Sequence, residues 1–357
     1  EKKKTDILVT CGGDIFSGNP VVDNYVEKGY PMIDMMNKVG VNMAVIGNHE
    51  FDYGQVILKK RLEQANFDWI CANVDMANTG IPQPFEYKTL SAGDLRVTFL
   101  GLIETNGKPE ATIPSTHPNR VQGVHFERPE DIVFQYANIK EQENSDVYIA
   151  LTHIGHTGRN GALGDFQLAQ QYPYFDLIIG GHSSQLIDTV INDIPIFQAG
   201  SYLEYIGKIE LQVKDKKIRK YNFEFIDLNT YTDFSTELQA DIDAYNSEMI
   251  LLFDEVIGYS QVFHEKYQLG CFYTDALRER LNVDVTFQNY GGIRSTLDAG
   301  DITVRDIFEI DPFNNGAIIY QMSVTELRNF LMASQSWLCY SGLEIVQADN
   351  GIQFIDL

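Results

Sequence analysis

The sequence has no hydrophobic run that approaches the ~20 apolar residues needed to cross a membrane. It is also poor in cysteine, and none of its four cysteines forms a Cys-x-x-Cys pair, which argues against a structural zinc site. Cys11 and Cys71 lie in apolar, strand-like runs, so we expect both to be buried thiols. The pattern neither requires nor excludes a disulfide. These absences point away from membrane-spanning proteins and from small zinc-stabilised modules.

Positive charge is scarce as well, since 27 Lys and Arg residues face 50 Asp and Glu residues and give a net charge of -23. A field of this sign repels nucleic-acid polymers, which argues against a DNA- or RNA-binding function. It is compatible with a small phosphorylated ligand, because a bound divalent cation reverses the local sign. The simpler interpretation of the acidity is solubility.

The length of the chain, 357 residues, favours two domains over a single core. In the first two thirds, short apolar runs alternate with amphipathic stretches, an order typical of a layered α/β domain. Buried strands are predicted at residues 6–11, 43–46, 69–72, 97–103, 147–151 and 177–180, and helices at 30–39, 56–64 and 129–142. The runs at 194–198, 207–213 and 220–225 lie close together and predict antiparallel strands of a second sheet. We therefore expect a β-sandwich flanked by helices.

A second, smaller domain is predicted beyond this sandwich. Residues 233–256 have apolar spacings of three and four with many acids, which predicts an exposed amphipathic helix between domains. The expected organisation is a first domain at 1–228, a linker at 229–256 and an α+β domain at 257–357. Within the last domain we predict a helix at 271–281, a strand at 284–288, a turn-rich stretch at 289–301 and a helix at 324–335.

Polar residues follow four of the predicted strands at the point where each strand ends. These are Asp14 after Gly12-Gly13, the run Gly47-Asn48-His49-Glu50, the run Thr152-His153-Ile154-Gly155-His156, and His182 after Gly180-Gly181. Ligand sites of open α/β sheets lie at the carboxyl ends of strands, and neighbouring glycines let the backbone turn sharply there. Asp, Asn and His together suit zinc, manganese or magnesium, and such an ion can polarise a phosphoryl oxygen and activate a water.

Each of these residues also has an ordinary structural interpretation. An Asp after two glycines is usually a turn residue or a helix cap. A His at a strand end is more often a hydrogen-bonded structural group than a metal ligand. The functional interpretation therefore depends on four such residues occurring at equivalent positions.

Two sets of motifs together resemble a known family. The first set is similar to the calcineurin-type metallophosphoesterase pattern and consists of Gly13-Asp14, Gly47-Asn48-His49-Glu50-Phe51-Asp52, His153 and Gly180-Gly181-His182. The second set resembles the C-terminal domain of 5′-nucleotidases and UDP-sugar hydrolases and consists of Asn289-Tyr290-Gly291-Gly292-Ile293-Arg294, Gly300-Asp301-Ile302-Thr303 and Asp311-Pro312-Phe313-Asn314-Asn315. The resemblance covers nearly the whole chain, and the order of the motifs makes it specific.

The resemblance implies roles for residues of the first domain. His49 would be the catalytic histidine that steadies the phosphoryl transition state, and Asp52 would orient its ring. A helix-capping role is the structural alternative for His49. One or two divalent ions (zinc, manganese or magnesium) are implied, with Asp14 bridging them and the ligands of one site being Asp14, Asn48, His153 and His182.

In the second domain the resemblance implies a substrate-binding surface. Arg294 would meet an anionic group of the ligand, for which a guanidinium is well shaped. Phe313 would stack on a base, although packing in the core is about equally good as an explanation for it. The full set that the resemblance implies is Asn289, Gly291, Gly292, Arg294, Phe313 and Asn315.

The sequence departs from the family pattern at the last metal motif. The family has Gly-His-x-His or Gly-His-x-Gln, whereas this chain has Gly181-His182-Ser183-Ser184-Gln185. Ser184 is a poor ligand when neutral and Gln185 is one residue late, so both are weak candidate ligands. We find no Asp-x-His motif before Gly13-Asp14, and the resemblance leads us to expect one upstream of Glu1 and a further C-terminal segment beyond Leu357.

Another departure lies in the second domain. Phe263 stands close to the position where the family has an arginine, and Lys266 is the nearest cation. Substrate preference is therefore expected to be unusual.

The expected function is metal-dependent hydrolysis of phosphate esters of nucleotides. Nucleoside monophosphates, nucleotide sugars and cyclic nucleotides all remain open as substrates, and the expected partner is a small-molecule nucleotide rather than a nucleic-acid polymer. One alternative is a degenerate member that binds nucleotides with weak or no hydrolysis, and another is a surface protein that uses the fold as a scaffold. The resemblance alone implies an extracytoplasmic location.

Overall fold

The computed structural model describes residues 7–107, 112–158, 161–313, 315–333, 338–348 and 351–356. Contacts divide the chain into two units, one formed by Glu1–Ser17 with Tyr25–Asp243 and the other by Gly18–Asn24 with Ala244–Leu357. The predicted linker contains one long helix, Thr236–Phe253, whose residues fall on both sides of this division. In the described part of the chain, no helix has both the length and the apolar character needed to span a membrane.

The regular elements are numbered along the chain. The strands are β1 Thr10–Cys11, β2 Met43–Val45, β3 Asp68–Ile70, β4 Val74–Asp75, β5 Tyr87–Ala92, β6 Leu95–Ile103, β7 His125–Phe126, β8 Val147–His153, β9 Leu177–Ile179, β10 Leu186–Ile191, β11 Ile194–Ala199, β12 Tyr205–Lys214, β13 Lys217–Asp227, β14 Val256–Ser260, β15 Thr286–Asn289, β16 Gly300–Thr303, β17 Leu338–Ser341, β18 Glu344–Ala348 and β19 Gly351–Asp356. The helices are α1 Pro20–Asn24, α2 Tyr30–Val39, α3 Gln55–Gln64, α4 Pro129–Ile132, α5 Ile139–Gln142, α6 Asp165–Gln171, α7 Thr236–Phe253, α8 Lys266–Leu281, α9 Val304–Ile310 and α10 Val324–Ala333.

Two sheets form the centre of the first unit. One is a parallel sheet with strand order β1-β2-β3, and the other is a six-stranded sheet with order β10-β11-β9-β8-β6-β5. In the larger sheet β8 pairs in parallel with both β6 and β9, while β5 and β10 are antiparallel to their neighbours. Parallel strands end at the same edge of a sheet, so the residues that follow them are brought together.

Side chains that alternate along the strands build the layers between and outside these sheets. On β2, Met43 and Val45 belong to an apolar cluster shared with β6, β8 and the β12–β13 hairpin, whereas Ala44 faces the cluster packed by α2 and α3. On β8, Ile149 joins the shared cluster and Ala150 faces the cluster that contains residues of α5 and α6. This arrangement confirms the predicted α/β sandwich flanked by helices.

Several predicted elements differ from the structure. The run at 194–198 becomes β11, which pairs in parallel with β9 and antiparallel with β10, a strand that the sequence pattern missed. A two-residue turn at Asn192-Asp193, both with positive φ, closes the β10–β11 hairpin and places β11 beside β9. The predicted helix at 129–142 is instead two single-turn helices, α4 and α5, separated by a 3-10 turn at Val133–Tyr136.

The cysteines also differ in part from expectation. Cys71 is fully buried as predicted, but Cys11 is only half-buried, and all four cysteines are free thiols. Glu1–Thr5 and Asn314 lie outside the described residues.

The second unit has the predicted α+β character. β14 pairs antiparallel with β16, β15 pairs antiparallel with β17, and α8 contacts both β15 and β17. Its small apolar cluster is formed by Leu269, Ile293, Leu297 and Ile310. A capping box between Thr303 and Asp306 starts α9, because each side chain accepts from the other residue's backbone N–H.

Candidate metal centre and active site

Four strands of the first unit end at one cluster of polar side chains. Asp14 follows β1, Asn48 follows β2, His153 is the last residue of β8, and His182 follows β9. Ligand atoms of Asp14, His153 and His182 all lie within 4.8 Å of one another. Since zinc lies about 2.1 Å from each of its nitrogen ligands, this spacing accommodates a divalent ion with only small movements. The structure thus brings together the metal-ligand candidates that the strand ends predicted.

The loop that carries Asp14 has a backbone that few residues could adopt. Gly13 and Asp14 have φ values of 87° and 58°. A Cβ atom on Gly13 would lie 2.7 Å from Nδ1 of His153 and 3.0 Å from the backbone nitrogen of Gly47. Glycine is therefore required at position 13 for the β1 and β2 loops to approach His153.

His153 faces oxygen atoms from both sides. Its Nδ1 lies 2.6 Å from the carbonyl oxygen of Gly12 and must donate to it, because a carbonyl only accepts. Its Nε2 lies 3.0 Å from Oδ2 of Asp14 and 3.2 Å from Oδ1 of Asn48. Convergence of acceptor oxygens on one ring nitrogen calls for a cation there, either a proton on the ring or a metal ion.

Asn48 is oriented by its own amide group. Its Nδ2 donates to the carbonyl oxygen of Ser115 at 3.1 Å, so Oδ1 points toward the histidines. That oxygen lies 3.0 Å from Nδ1 of His182, and the rings of His153 and His182 meet edge to face at 5.1 Å. Asn48 and His153 are buried, which limits competition from water.

The charges of the cluster perturb one another. Burial by itself would raise the pKa of Asp14, but His153, His49 and His182 outweigh it and hold that pKa far below its usual range. Burial would likewise lower the pKa of His153, yet the Asp14 carboxylate raises it to about 9. The charges of the cluster therefore favour a cation at His153, where the proposed metal would bind.

Glu50 contacts the backbone of the loop that carries Asp14, and the sequence motifs assigned it no role. It is fully buried and accepts from the backbone N–H groups of Asp14 at 3.0 Å, Ile15 at 2.5 Å and Gly47 at 2.5 Å. Burial and the nearby Asp14 charge raise the pKa of Glu50 to about 7. Glu50 thus ties the loop after β1 to the loop after β2.

His49 and Asp52 form a hydrogen-bonded pair beside the cluster. Nδ1 of His49 lies 2.6 Å from Oδ2 of Asp52, and the backbone N–H of His49 donates to Oδ1 of Asp14 at 2.9 Å. The Asp52 carboxylate accepts the Nδ1 proton of His49, which fixes the tautomer and the orientation of the ring. The structure thus brings His49 and Asp52 into contact, and their roles in catalysis stay a prediction.

Ser184 and Gln185 lie differently from the other candidates. Both are exposed, and Ser184 has a positive φ of 53°. Among the described residues, no hydrogen bond joins either side chain to the cluster, while the Gln185 carbonyl accepts from the backbone N–H of Gly200. Their role as weak metal ligands stays a prediction.

The second-domain candidates form a looser group. Nη1 of Arg294 donates to the carbonyl oxygen of Gly291 at 3.3 Å, and its guanidinium lies over the Phe313 ring at 5.7 Å. A Cβ on Gly292 would lie 2.2 Å from Nε2 of Gln288 and 3.1 Å from Oδ1 of Asn289. Asn289, Gly291 and Asn315 are exposed, and Phe313 is half-buried. Their function as a substrate surface stays a prediction.

Comparison with known proteins places this geometry in a family. The sequence model of the calcineurin-like phosphoesterase family matches residues 1–185, and that of the 5′-nucleotidase C-terminal domain matches residues 254–353. The 5′-nucleotidase of Vibrio cholerae is 26% identical, with the match covering 99% of this chain and 73% of that protein. The trifunctional nucleotide phosphoesterase YfkN of Bacillus subtilis is 28% identical over 91% of this chain, which spans only 25% of that much longer protein.

The solved structures agree on the fold. The 5′-nucleotidase precursor of Thermus thermophilus superimposes with a TM-score of 0.84 at 22% identity, covering 99% of this chain and 79% of that one. Members of the calcineurin-like family use divalent metals, and the donor set of Asp14, Asn48, His153 and His182 fits such ions. The chain therefore belongs to the calcineurin-like phosphoesterase family of hydrolases and carries a 5′-nucleotidase C-terminal domain.

Proposed function

We propose that this chain hydrolyses phosphate esters of nucleotides at a divalent-metal centre held by Asp14, Asn48, His153 and His182. The observation that carries the proposal is the convergence of oxygen and nitrogen ligand atoms on one point, next to the His49–Asp52 pair. A histidine whose ring is oriented by a hydrogen bond from Nδ1 to an acid is suited to assist phosphoryl transfer.

The candidate residues of the first unit have different roles in the proposed reaction. A bound divalent ion would polarise a phosphoryl oxygen and lower the pKa of the attacking water. His49 holds its Nδ1 proton on Asp52 and, when protonated at Nε2, donates a hydrogen bond to the phosphoryl group as negative charge develops. Glu50 keeps the Asp14 loop in place through its three backbone contacts.

The second unit supplies recognition in this proposal. Arg294 pairs with an anionic group of the substrate, and Phe313 offers a ring face to a base. The names of the relatives, a 5′-nucleotidase and a nucleotide phosphoesterase, support a small nucleotide as the substrate. The net charge of -23 argues against a nucleic-acid polymer in that role. We also propose the extracytoplasmic location that the resemblance implied.

A nucleotide-binding protein with weak hydrolysis is the second candidate. The exposure of Ser184 and Gln185 favours it, because these two residues are the weak candidate ligands of a second metal ion. A centre with one ion can bind a phosphate ester yet lacks the paired clamp on attacking and leaving oxygens that two ions provide.

The experiment that separates the candidates is a metal-reloading assay. The purified chain is stripped with a chelator, reloaded with Zn²⁺, Mn²⁺ or Mg²⁺, and tested for phosphate release from a nucleoside monophosphate, a nucleotide sugar and a cyclic nucleotide. Metal-restored release from at least one ester is the result we expect. Tight calorimetric binding of the same esters with no release under any metal would favour the binding protein.

A further inference from the structure

Asp52, the acid beside His49, has both carboxylate oxygens engaged. Oδ2 accepts from Nδ1 of His49 at 2.6 Å and from the hydroxyl of Ser17 at 2.6 Å. Oδ1 accepts from Nη1 of Arg120 at 2.5 Å. The Asp52 side chain is only 9% exposed, so water does not replace these partners easily.

Arg120 reaches Asp52 from a distant part of the chain. It lies in the short 3-10 turn Pro118–Val121, and Val121, the next residue, is buried in the core. The Arg120 side chain is 27% exposed, and within the described ranges Asp52 is the sole side chain to which it donates. The buried Val121 therefore fixes the backbone from which Arg120 extends, and the Arg120 side chain is directed to Asp52.

The same segment also touches the metal cluster. Ser115 accepts from Nδ2 of Asn48 through its carbonyl oxygen at 3.1 Å. Its own backbone N–H donates to the buried Glu104 carboxylate at 2.6 Å. Residues 115–121 thus hold a proposed metal ligand at one end and the partner of His49 at the other.

We propose that Arg120 is a positioning residue that holds the Asp52 carboxylate, and through it the ring of His49, in the orientation needed for phosphoryl transfer. The inference rests on the proposed function, in which His49 assists that transfer. A carboxylate held through one oxygen can rotate about its Cβ–Cγ bond, whereas contacts on both oxygens stop the rotation. Because His49 takes its direction from Oδ2, freeing Oδ1 loosens the imidazole as well.

Ser17 has a smaller part in the same arrangement. Its hydroxyl donates to Oδ2 of Asp52 and lies 3.3 Å from Nδ1 of His49, so it steadies the oxygen that His49 uses. No sequence motif marks either Ser17 or Arg120.

A double-mutant cycle on the full, Zn²⁺-loaded chain tests the proposal. We expect Arg120→Met to lower kcat on a nucleoside monophosphate by about 10- to 100-fold, with KM and zinc content unchanged. Arg120→Lys keeps a cation and recovers part of the rate. In an Asp52→Asn background the same Arg120→Met change has less than about a 2-fold effect, because its route to His49 is already broken. The matched control is Arg128→Met, which removes an arginine paired with Glu130 and leaves kcat unchanged.

Two kinetic results would overturn the proposal. One is an equal loss from Arg120→Met in both backgrounds, which would mean that Arg120 does not act through Asp52. The other is a raised KM with unchanged kcat, which would make Arg120 a substrate contact. Thermal unfolding midpoints of each variant, measured together with the rates, show whether a loss of activity is caused by unfolding.

A second readout is independent of activity. In zinc-loaded protein with ¹⁵N-labelled histidine, the Nδ1–H resonance of His49 is identified by its absence from His49→Gln. We expect it to persist in Arg128→Met, shift or broaden in Arg120→Met and be lost in Asp52→Asn. A resonance unchanged by Arg120→Met contradicts the proposal. If the wild type hydrolyses no ester, the proposed function fails while this resonance still decides the role of Arg120.

Discussion

The candidate residues of the two units are held in different ways. In the first unit, Asn48 and His153 are buried and their polar atoms meet other protein groups at hydrogen-bond distance. In the second unit, Asn289 and Asn315 are exposed, and Arg294 donates a hydrogen bond of 3.3 Å to the carbonyl oxygen of Gly291. Groups that stabilise charge in a transition state must be held in place beforehand, whereas groups that recognise a substrate must stay accessible to it. This difference is expected if the first unit performs the chemistry and the second unit recognises the substrate.

The first-unit arrangement depends on close backbone approach at glycine. A Cβ on Gly181 would lie 2.2 Å from the carbonyl oxygen of Gly12 and 2.9 Å from Nδ1 of His153. A Cβ on Gly47 would lie 2.4 Å from Oδ1 of Asp14. Side chains at these positions would separate the strand ends, and the ligands would no longer converge.

The largest expected effect comes from removing the histidine at the centre of the cluster. His153→Ala deletes the nitrogen that faces Asp14 and Asn48, so we expect loss of bound metal and a fall in kcat of about 100- to 1,000-fold. Metal content and phosphate release are measured together. The control is His125→Ala, an exposed histidine of β7. If His153→Ala kept its full metal content and turnover, the buried cluster of the first unit would not be the metal centre.

Asp165, also in the first unit, differs from Asn48 and His153 because it has a buried polar atom without a hydrogen bond among the described residues. It is 1% exposed and accepts from Thr152 at Oδ1, but its Oδ2 has no hydrogen-bond partner among the described residues. Burial raises the pKa of Asp165 to about 7, above the ordinary 3.8 that it regains on unfolding. Its contribution to stability is therefore full below the unfolded pKa and is lost as pH rises toward the folded one.

Asp165→Asn removes this pH dependence. At pH 8 we expect the metal-free variant to be more stable than the wild type by roughly 1–3 kcal/mol, and at pH 4 the difference should nearly vanish. Urea unfolding at the two pH values measures it. A variant that is less stable at pH 8 would show that the ionised carboxylate is stabilised in the fold after all.

Arg294→Met tests the recognition side. We expect KM for a nucleoside monophosphate to rise about 10-fold with kcat nearly unchanged, because the lost contact is made equally in ground and transition states. Arg280→Met, an exposed arginine of α8, is the matched control. A fall in kcat at constant KM would instead put Arg294 among the groups that perform the chemistry.

The smallest expected effect concerns Phe313 and decides between stacking and core packing. Phe313→Leu should weaken the apparent binding of a nucleoside monophosphate by about 0.5–1.5 kcal/mol. It should leave a simple alkyl phosphate ester unaffected, because that substrate has no aromatic ring to stack on Phe313. Equal weakening for both substrates, with a lowered thermal midpoint, would indicate core packing.

The strand-end residues could be predicted from sequence because both signals are local. Apolar runs define β1, β2, β8 and β9, and polar residues with glycine follow each run. The pairing of β11 could not be predicted, because it depends on which strand lies beside it rather than on its own composition.

The roles of Glu50 and Arg120 could not be predicted from the motifs, for a related reason. Glu50 stands inside a motif but acts on backbone N–H groups of another loop. Arg120 is 68 residues from Asp52 and has no pattern around it. Tertiary contacts alone give these residues their roles.

Phosphate release by wild type and His49→Gln at equal metal content tests most directly whether His49 takes part in metal-dependent hydrolysis. His49→Gln leaves Asp14, Asn48, His153 and His182 in place, so metal binding should be retained. We expect metal-dependent release by the wild type and a rate about 100- to 1,000-fold lower in the variant, with His125→Gln at the wild-type rate. Equal rates in wild type and His49→Gln would contradict it.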